Sequence, residues 1–96
     1  DGRSEFVRST VTELTAAICE SVLDTTKAYQ TTIGLINGGT VRVDDILRET
    51  ITQYDILRTL PFANYIVALS VPGPILAQAL SAGQALKGNG MYLAYV

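Results

Sequence analysis

Two short segments of this 96-residue chain hold the side chains best suited to binding a ligand. The first is Asn37-Gly38-Gly39, with Arg42 following shortly after it, and the second is the corner at Leu60-Pro61-Phe62. An amide can donate and accept hydrogen bonds, a guanidinium fork suits a phosphate or a ribose edge, and an aromatic ring can stack on a base. The turn, the arginine and the ring are therefore the candidate site.

Each of these residues also has a purely structural interpretation. Asn-Gly pairs are common in tight turns because glycine permits positive φ angles. Phe62 follows a proline and would serve equally well as a core anchor. Arg42 lies between Val41 and Val43, and burial of these valines would direct it outward, since alternate strand residues face opposite sides. The residues alone leave both interpretations open.

The residues needed for several common catalytic sites are missing. The chain contains no histidine, which argues against a catalytic zinc site, a Ser-His-Asp triad and a Cys-His pair. The carboxylates are scattered, and the adjacent Asp44 and Asp45 are expected in a solvated loop. Cys19 is the one cysteine, so no internal disulfide can form, and on a helix's apolar side it would be a small buried hydrophobe. No catalytic residue and no metal site is predicted.

Length and composition predict one small globular domain at most. The chain is 48% hydrophobic and 17% charged, which is typical of a folded domain. Its net charge of −2 and pI of about 4.8 argue against nucleic-acid binding, which usually needs a basic face. The longest apolar runs are far below the roughly 20 residues that cross a bilayer, so no membrane span is expected.

Three helices are predicted from apolar residues that recur at three- or four-residue steps. The first helix presents an apolar face from Val7 to Val22, and Thr10–Glu13 has the spacing of a capping box. The second helix starts at Thr52 and the third at Pro74. Residues 1–10 are polar and are expected to be frayed.

Three strands are predicted from apolar, β-branched runs, namely Thr31–Ile36, Tyr65–Val71 and Met91–Val96. The second has the composition of a central strand. Together the elements predict an α+β fold of order α-β-α-β-α-β, with helices packed on a mixed β-sheet. The expected core consists of Ile33, Leu35, Val67, Leu69, Leu14, Ile18, Leu76 and Leu80.

The ordered set of strand, Asn-Gly-Gly turn, arginine and Leu-Pro-Phe corner resembles one known domain. It is similar to the C-terminal, substrate-binding domain of the 5′-nucleotidase family, whose pattern reads Asn-Gly-Gly-Gly-Ile-Arg and then Leu-Pro-Phe-Gly-Asn. By that resemblance Asn37, Gly38, Gly39 and Arg42 contact the nucleoside and its ribose or phosphate side. Phe62 is then one of two aromatic plates that enclose the base.

The resemblance also implies what lies outside this chain. Members of the family are two-domain phosphohydrolases that remove phosphate from nucleotides. Their N-terminal metallophosphoesterase domain carries two divalent metal ions and performs the hydrolysis. The implied partners are therefore a nucleotide or nucleoside and that N-terminal domain of the same protein, and the implied location is periplasmic, cell-surface or secreted. No cofactor is expected in this chain.

A non-enzymatic alternative stays open beside this interpretation. Thr40 replaces the family's third glycine, Thr12-Glu13 stands where the family has Gly-Asn, and no matching arginine is found near them. Thr12, Glu13 and Thr40 favour a degenerate binding or assembly module of a surface or secreted protein. The chain also stops before the family's Gly-Gly-Asp-Gly segment, which brings the second aromatic plate, so residues 1–96 are interpreted as a partial C-terminal domain. Since the last predicted strand runs to Val96, its uncovered edge predicts association, as a homodimer.

The 96-residue protein should release no phosphate from AMP in the presence of added divalent metal ions. Without histidines or clustered carboxylates it cannot hold two metals about 3.5–4 Å apart to activate water. The measurement is phosphate release by the purified protein against a buffer blank. Release that a chelator abolishes would contradict the prediction.

Overall fold

Four helices and two short strands make up the fold in the computed structural model, which describes residues 1–96. The helices are α1 (Ser4–Val7), α2 (Glu13–Thr25), α3 (Gln53–Thr59) and α4 (Gly73–Ala85), and the strands are β1 (Leu35–Asn37) and β2 (Leu93–Tyr95). Single 3₁₀ turns occupy Lys27–Tyr29 and Gly38–Thr40. The predicted α+β class is confirmed. No helix has both the length and the apolar character needed to cross a membrane.

The sheet is one antiparallel pair that joins distant parts of the chain. Ile36 pairs with Ala94 at its centre. The pairing continues past β1, because the Gly34 and Val96 backbones exchange two hydrogen bonds of 3.1 and 2.9 Å. Long-range backbone pairing of this kind fixes both ends of the intervening segment relative to each other.

Helix α2 packs on this pair of strands through Cys19. The thiol is fully buried and its Sγ donates a hydrogen bond to the Ala94 carbonyl at 3.5 Å. Burial raises the pKa of the Cys19 thiol. Gly34 makes the close approach possible, because a Cβ at this position would collide with the Cys19 carbonyl. The prediction that Cys19 is a buried hydrophobe is confirmed.

Helix starts follow the expected capping chemistry, with one shift in position. Thr52 caps α3 as predicted, exchanging hydrogen bonds with Asp55 in a capping box. The α2 cap is Thr12 rather than the predicted Thr10, and its partner is Thr15. The prediction assumed an acidic residue at the third helical position, whereas the Thr15 hydroxyl accepts from the Thr12 N–H at 2.9 Å.

The expectation of a frayed segment over residues 1–10 is wrong. This segment contains α1, and Val7 is fully buried. The Ser4 N–H at the start of α1 donates to the Asp44 carboxylate at 2.8 Å. That hydrogen bond is the largest cause of a lowered pKa at Asp44.

The predicted central strand at Tyr65–Val71 is also wrong. This segment is extended but belongs to no sheet, and none of its backbone groups takes part in a hydrogen bond. The sheet is therefore antiparallel and two-stranded rather than mixed, and the predicted element order is not confirmed. Strand composition favours a pleated, half-buried surface but does not provide a neighbouring strand to pair with.

The core lies elsewhere than predicted. Ile33, Leu35, Val67 and Leu69 are exposed, while Leu14, Ile18, Leu76 and Leu80 are only half-buried. The buried hydrophobic residues are Val7, Cys19, Val41, Tyr92 and Ala94. The reason is the missing central strand, since the apolar side chains expected to pack on it have no sheet against them.

Gly34→Ala should lower the free energy of unfolding by about 1–3 kcal/mol, the usual cost of overpacking. The added methyl group would meet the Cys19 carbonyl and Leu23 Cγ, the latter at 3.1 Å, and push β1 away from α2. Gly73→Ala is the matched control, because nothing lies within 4 Å of a Cβ there. Urea unfolding followed by circular dichroism measures both, and equal stabilities would contradict the prediction.

Candidate functional site

The Asn37 turn is held against a second turn at the start of the C-terminal strand region. The Gly39 N–H and Asn37 Nδ2 both donate to the Gly90 carbonyl, at 2.8 and 3.0 Å. Thr40 Oγ1 donates to Asn37 Oδ1 at 2.7 Å, so both ends of the Asn37 amide have a partner. The Gly38 N–H donates to the Tyr92 carbonyl at 2.8 Å. We call this set of contacts the Asn37 latch.

The two glycines of the turn are required for close packing rather than for an unusual φ angle. Among the glycines only Gly88 has a positive φ, so the expectation of positive φ at the turn is wrong. Gly38 is buried, and a Cβ there would collide with the Val7 carbonyl. A Cβ on Gly39 would lie 3.0 Å from the Gly90 carbonyl oxygen.

Arg42 extends from the outer side of the chain just after the turn. Val41 beside it is fully buried and Arg42 is exposed, which is the alternation that the sequence predicted. The Arg42 N–H donates to the Thr59 carbonyl at 2.9 Å, at the last residue of α3. This hydrogen bond brings the Leu60-Pro61-Phe62 corner next to Arg42.

Phe62 presents its ring on the surface beside Arg42. Its side chain is 51% exposed, so it is not the enclosed core anchor of the structural interpretation. The Arg42 guanidinium carbon lies 5.2 Å from the centre of the ring, within the range of a cation–π contact. A groove of about 560 Å³ is lined by Asn37, Thr40 and Phe62, so the turn and the ring open onto one space.

Arg8 is a further candidate that the sequence analysis missed. A Cβ on Gly90 would lie 3.8 Å from the Arg8 guanidinium carbon, which places this cation beside the Asn37 latch. Arg8 Nε is buried and has no hydrogen-bond partner. The Arg8 carbonyl accepts from the Gly88 N–H at 2.6 Å. In the sequence, Arg8 is a lone arginine in a segment expected to be frayed. No local pattern connects it to the distant turn that contains Gly88 and Gly90.

The carboxylates have structural roles in this arrangement. Asp55 has a lowered pKa, caused first by the hydrogen bond from the Thr52 N–H and also by Arg58. Arg58 Nη2 contacts Asp55 Oδ1 at 3.1 Å. No group of three or more His, Cys, Asp or Glu side chains could hold a metal ion. The site offers an amide, two cations and a ring, which can bind a ligand but cannot activate water through a metal.

The structure is an α+β domain in which the Asn37 turn and the Phe62 ring open onto one groove. The chain matches the family described as "5'-nucleotidase, C-terminal domain" over residues 2–96. It therefore belongs to that family, as the turn, arginine and corner predicted. Searches of curated proteins and of solved structures found no match.

Asp55→Asn should destabilise the protein near neutral pH, and the difference from wild type should shrink in acid. The pKa of Asp55 is lower in the folded chain than its ordinary value of 3.8, so its charge adds stability above that pH. That stability is lost as the pH falls through the folded pKa. Urea unfolding at pH 7 and at pH 3 measures the difference.

Asp24→Asn is the control for that experiment. Asp24 makes only an exposed ion pair with Lys27, at 3.4 Å, and such pairs contribute little. An Asp55 effect that stays constant, or that grows as the pH falls, would contradict the assignment of the carboxylate to the α3 cap.

Proposed function

We propose that this chain is part of the nucleotide-binding domain of a metal-dependent 5′-nucleotidase-like phosphohydrolase. The observation that carries the proposal is the half-exposed Phe62 ring with the Arg42 guanidinium over it, beside the groove that Asn37 lines. An accessible ring next to a free cation suits a ligand with an aromatic base and a negative charge. Membership of the family supports the same class of ligand.

The proposed binding mode gives each side chain one task. The base stacks on the Phe62 ring, where stacking depends on the π face and accepts different bases. Arg42 then turns its guanidinium fork to the phosphate or the ribose edge. Asn37 keeps a second N–H and a second lone pair beyond the Asn37 latch, which suits it to one further hydrogen bond with the nucleoside.

The hydrolysis itself is assigned to a separate domain. We propose that an N-terminal metallophosphoesterase domain of the same protein supplies two divalent metal ions, which this chain has no residues to hold. The chain's own contribution is to bind and orient the nucleotide. A periplasmic, cell-surface or secreted location is proposed with it, on the family resemblance alone.

A second candidate function is a non-enzymatic binding or assembly module. One observation favours it, namely Thr40 at the position of the family's third glycine. The Thr40 hydroxyl donates to Asn37 Oδ1 at 2.7 Å and occupies an acceptor that a ligand would otherwise use. Thr40→Gly restores the family pattern and separates the two candidates. Tighter binding of AMP by this variant favours the nucleotide site, whereas AMP bound by neither protein favours the module.

Phe62→Ala should weaken AMP binding by about 1–3 kcal/mol, and GMP binding by a similar amount, because stacking does not distinguish bases. Arg42→Ala should weaken AMP binding at least as much as adenosine binding. Calorimetric titrations of the full-length protein measure these affinities. Tyr29→Ala is the matched control, since Tyr29 is an exposed ring that does not line this groove. Equal affinities of wild type and Phe62→Ala would overturn the site.

A further inference from the structure

The first helix is held in place by a distant part of the chain. Helix α1 has only four residues, and its N-cap residue, Arg3, makes no side-chain capping hydrogen bond. The cap comes instead from Asp44, whose carboxylate accepts from the Ser4 N–H at 2.8 Å. The Asp45 carbonyl accepts from the Gly2 N–H at 2.9 Å beside it. Because a helix this short is unstable by itself in water, these two contacts fix where α1 begins.

The backbone at Asp44 has an uncommon conformation. Its φ is 45°, in the left-handed region that most residues other than glycine avoid and that Asp and Asn enter more readily. Such a conformation persists only where the surrounding structure enforces it. Two residues earlier, the Arg42 N–H is hydrogen-bonded to the Thr59 carbonyl. The chain from Arg42 to Asp44 is therefore attached to α3 at one end and to α1 at the other.

The last residue of α1 packs against the Asn37 latch. Val7 is fully buried, and its carbonyl lies so close to Gly38 that a Cβ there would collide with it. The next residue, Arg8, has its guanidinium beside Gly90, whose carbonyl accepts both the backbone and the side-chain hydrogen bond of the latch. A shift of α1 would therefore move Arg8 relative to the Asn37 latch.

The position of the Arg8 guanidinium depends on the backbone that carries it. Arg8 Nε is buried without a hydrogen-bond partner, and no salt bridge includes this side chain. The backbone, by contrast, is attached at both ends of α1. The Arg8 carbonyl accepts from the Gly88 N–H at 2.6 Å, and the start of the helix is held by Asp44.

We propose that Asp44 is a positioning residue of the nucleotide site, which holds α1 so that the Arg8 guanidinium lies beside the Asn37 latch. The inference rests on the proposed function, because it directs Arg8 to the anionic part of the ligand. A cation held in place loses less side-chain entropy on binding than a mobile one. The hydrogen bonds of the Asn37 latch do not involve α1, so loosening this helix should affect a charged ligand and spare a neutral one.

Asp44→Gly in the full-length protein tests the positioning role. Glycine removes the capping carboxylate and adopts the left-handed φ without strain. We expect AMP to bind about tenfold more weakly, the loss of one charge-assisted contact, and adenosine to bind within about twofold of wild type. Calorimetric titrations measure both affinities. An equal loss for the two ligands, or an AMP affinity that stays unchanged, would overturn the proposal.

The direction of the change separates positioning from simple electrostatics. Asp44 and Arg8 attract each other, since Arg8 contributes to the lowered pKa of the Asp44 carboxyl. Removing a negative charge near Arg8 would by itself strengthen the binding of an anion. Loss of positioning has the opposite sign, so tighter binding of AMP by Asp44→Gly would also overturn the proposal.

Two further variants separate the cap from effects of charge and backbone. Glu49→Gly is the matched control, because Glu49 is also exposed and left-handed, at φ 56°, but forms no salt bridge and caps no helix. It should leave the ratio of AMP affinity to adenosine affinity unchanged. Asp44→Asn should retain AMP binding, because asparagine enters the left-handed region and its amide oxygen can accept from the Ser4 N–H. An Asn variant as weak as Asp44→Gly would contradict the capping role.

A double-mutant cycle tests whether Asp44 acts through Arg8. Arg8→Ala should weaken AMP binding, and adding Asp44→Gly should cause no further loss, because the cation that Asp44 positions is gone. Circular dichroism checks that each variant is folded. Additive losses would mean that Asp44 acts by another route.

Amide exchange followed by NMR tests the link through α1 without any ligand. In Asp44→Gly the Gly88 N–H should exchange faster, since its acceptor is the Arg8 carbonyl. The Gly39 N–H of the Asn37 latch should exchange as in wild type. An unchanged rate at Gly88 would overturn the link. Faster exchange there without loss of AMP affinity would overturn the positioning role and leave intact the nucleotide site, which Phe62→Ala tests separately.

Discussion

The pairing of β1 with β2 is the interaction on which the rest of the structure depends. It joins residues 34–37 to residues 93–96 and forms the surface against which α2 buries Cys19. The same pairing brings Gly90 beside Gly39 and so makes the Asn37 latch possible. Without these strands the turn would have no partner for its amide groups, and unpaired buried amides are costly.

Features decided by neighbouring residues could be predicted from the sequence. The Thr52 cap, the burial of Cys19 and the outward direction of Arg42 each follow from residues within a few positions, and the structure has all three. The α+β class followed for the same reason, because helical and strand-like periods are local patterns.

Features decided by distant partners could not be predicted in the same way. Residues 65–71 have strand composition, but strand status also needs a neighbour that a local pattern does not contain. Arg8 reaches the site only because Gly88 and Gly90 fold back onto it across most of the chain. The glycines of the turn show a third case, since close approach to Val7 requires them as strictly as a positive φ would.

The hydrogen bond from the Arg42 N–H to the Thr59 carbonyl joins two parts of the candidate site that can move separately. The Asn37 latch belongs to the paired strands, whereas Phe62 lies just after α3, a helix of only seven residues. Segments with few buried contacts open locally at a lower free-energy cost than the core. The ring can therefore move away from Arg42 while β1 and β2 stay paired. A ligand held by both parts would have to order the corner as it binds, and its measured affinity would include that cost.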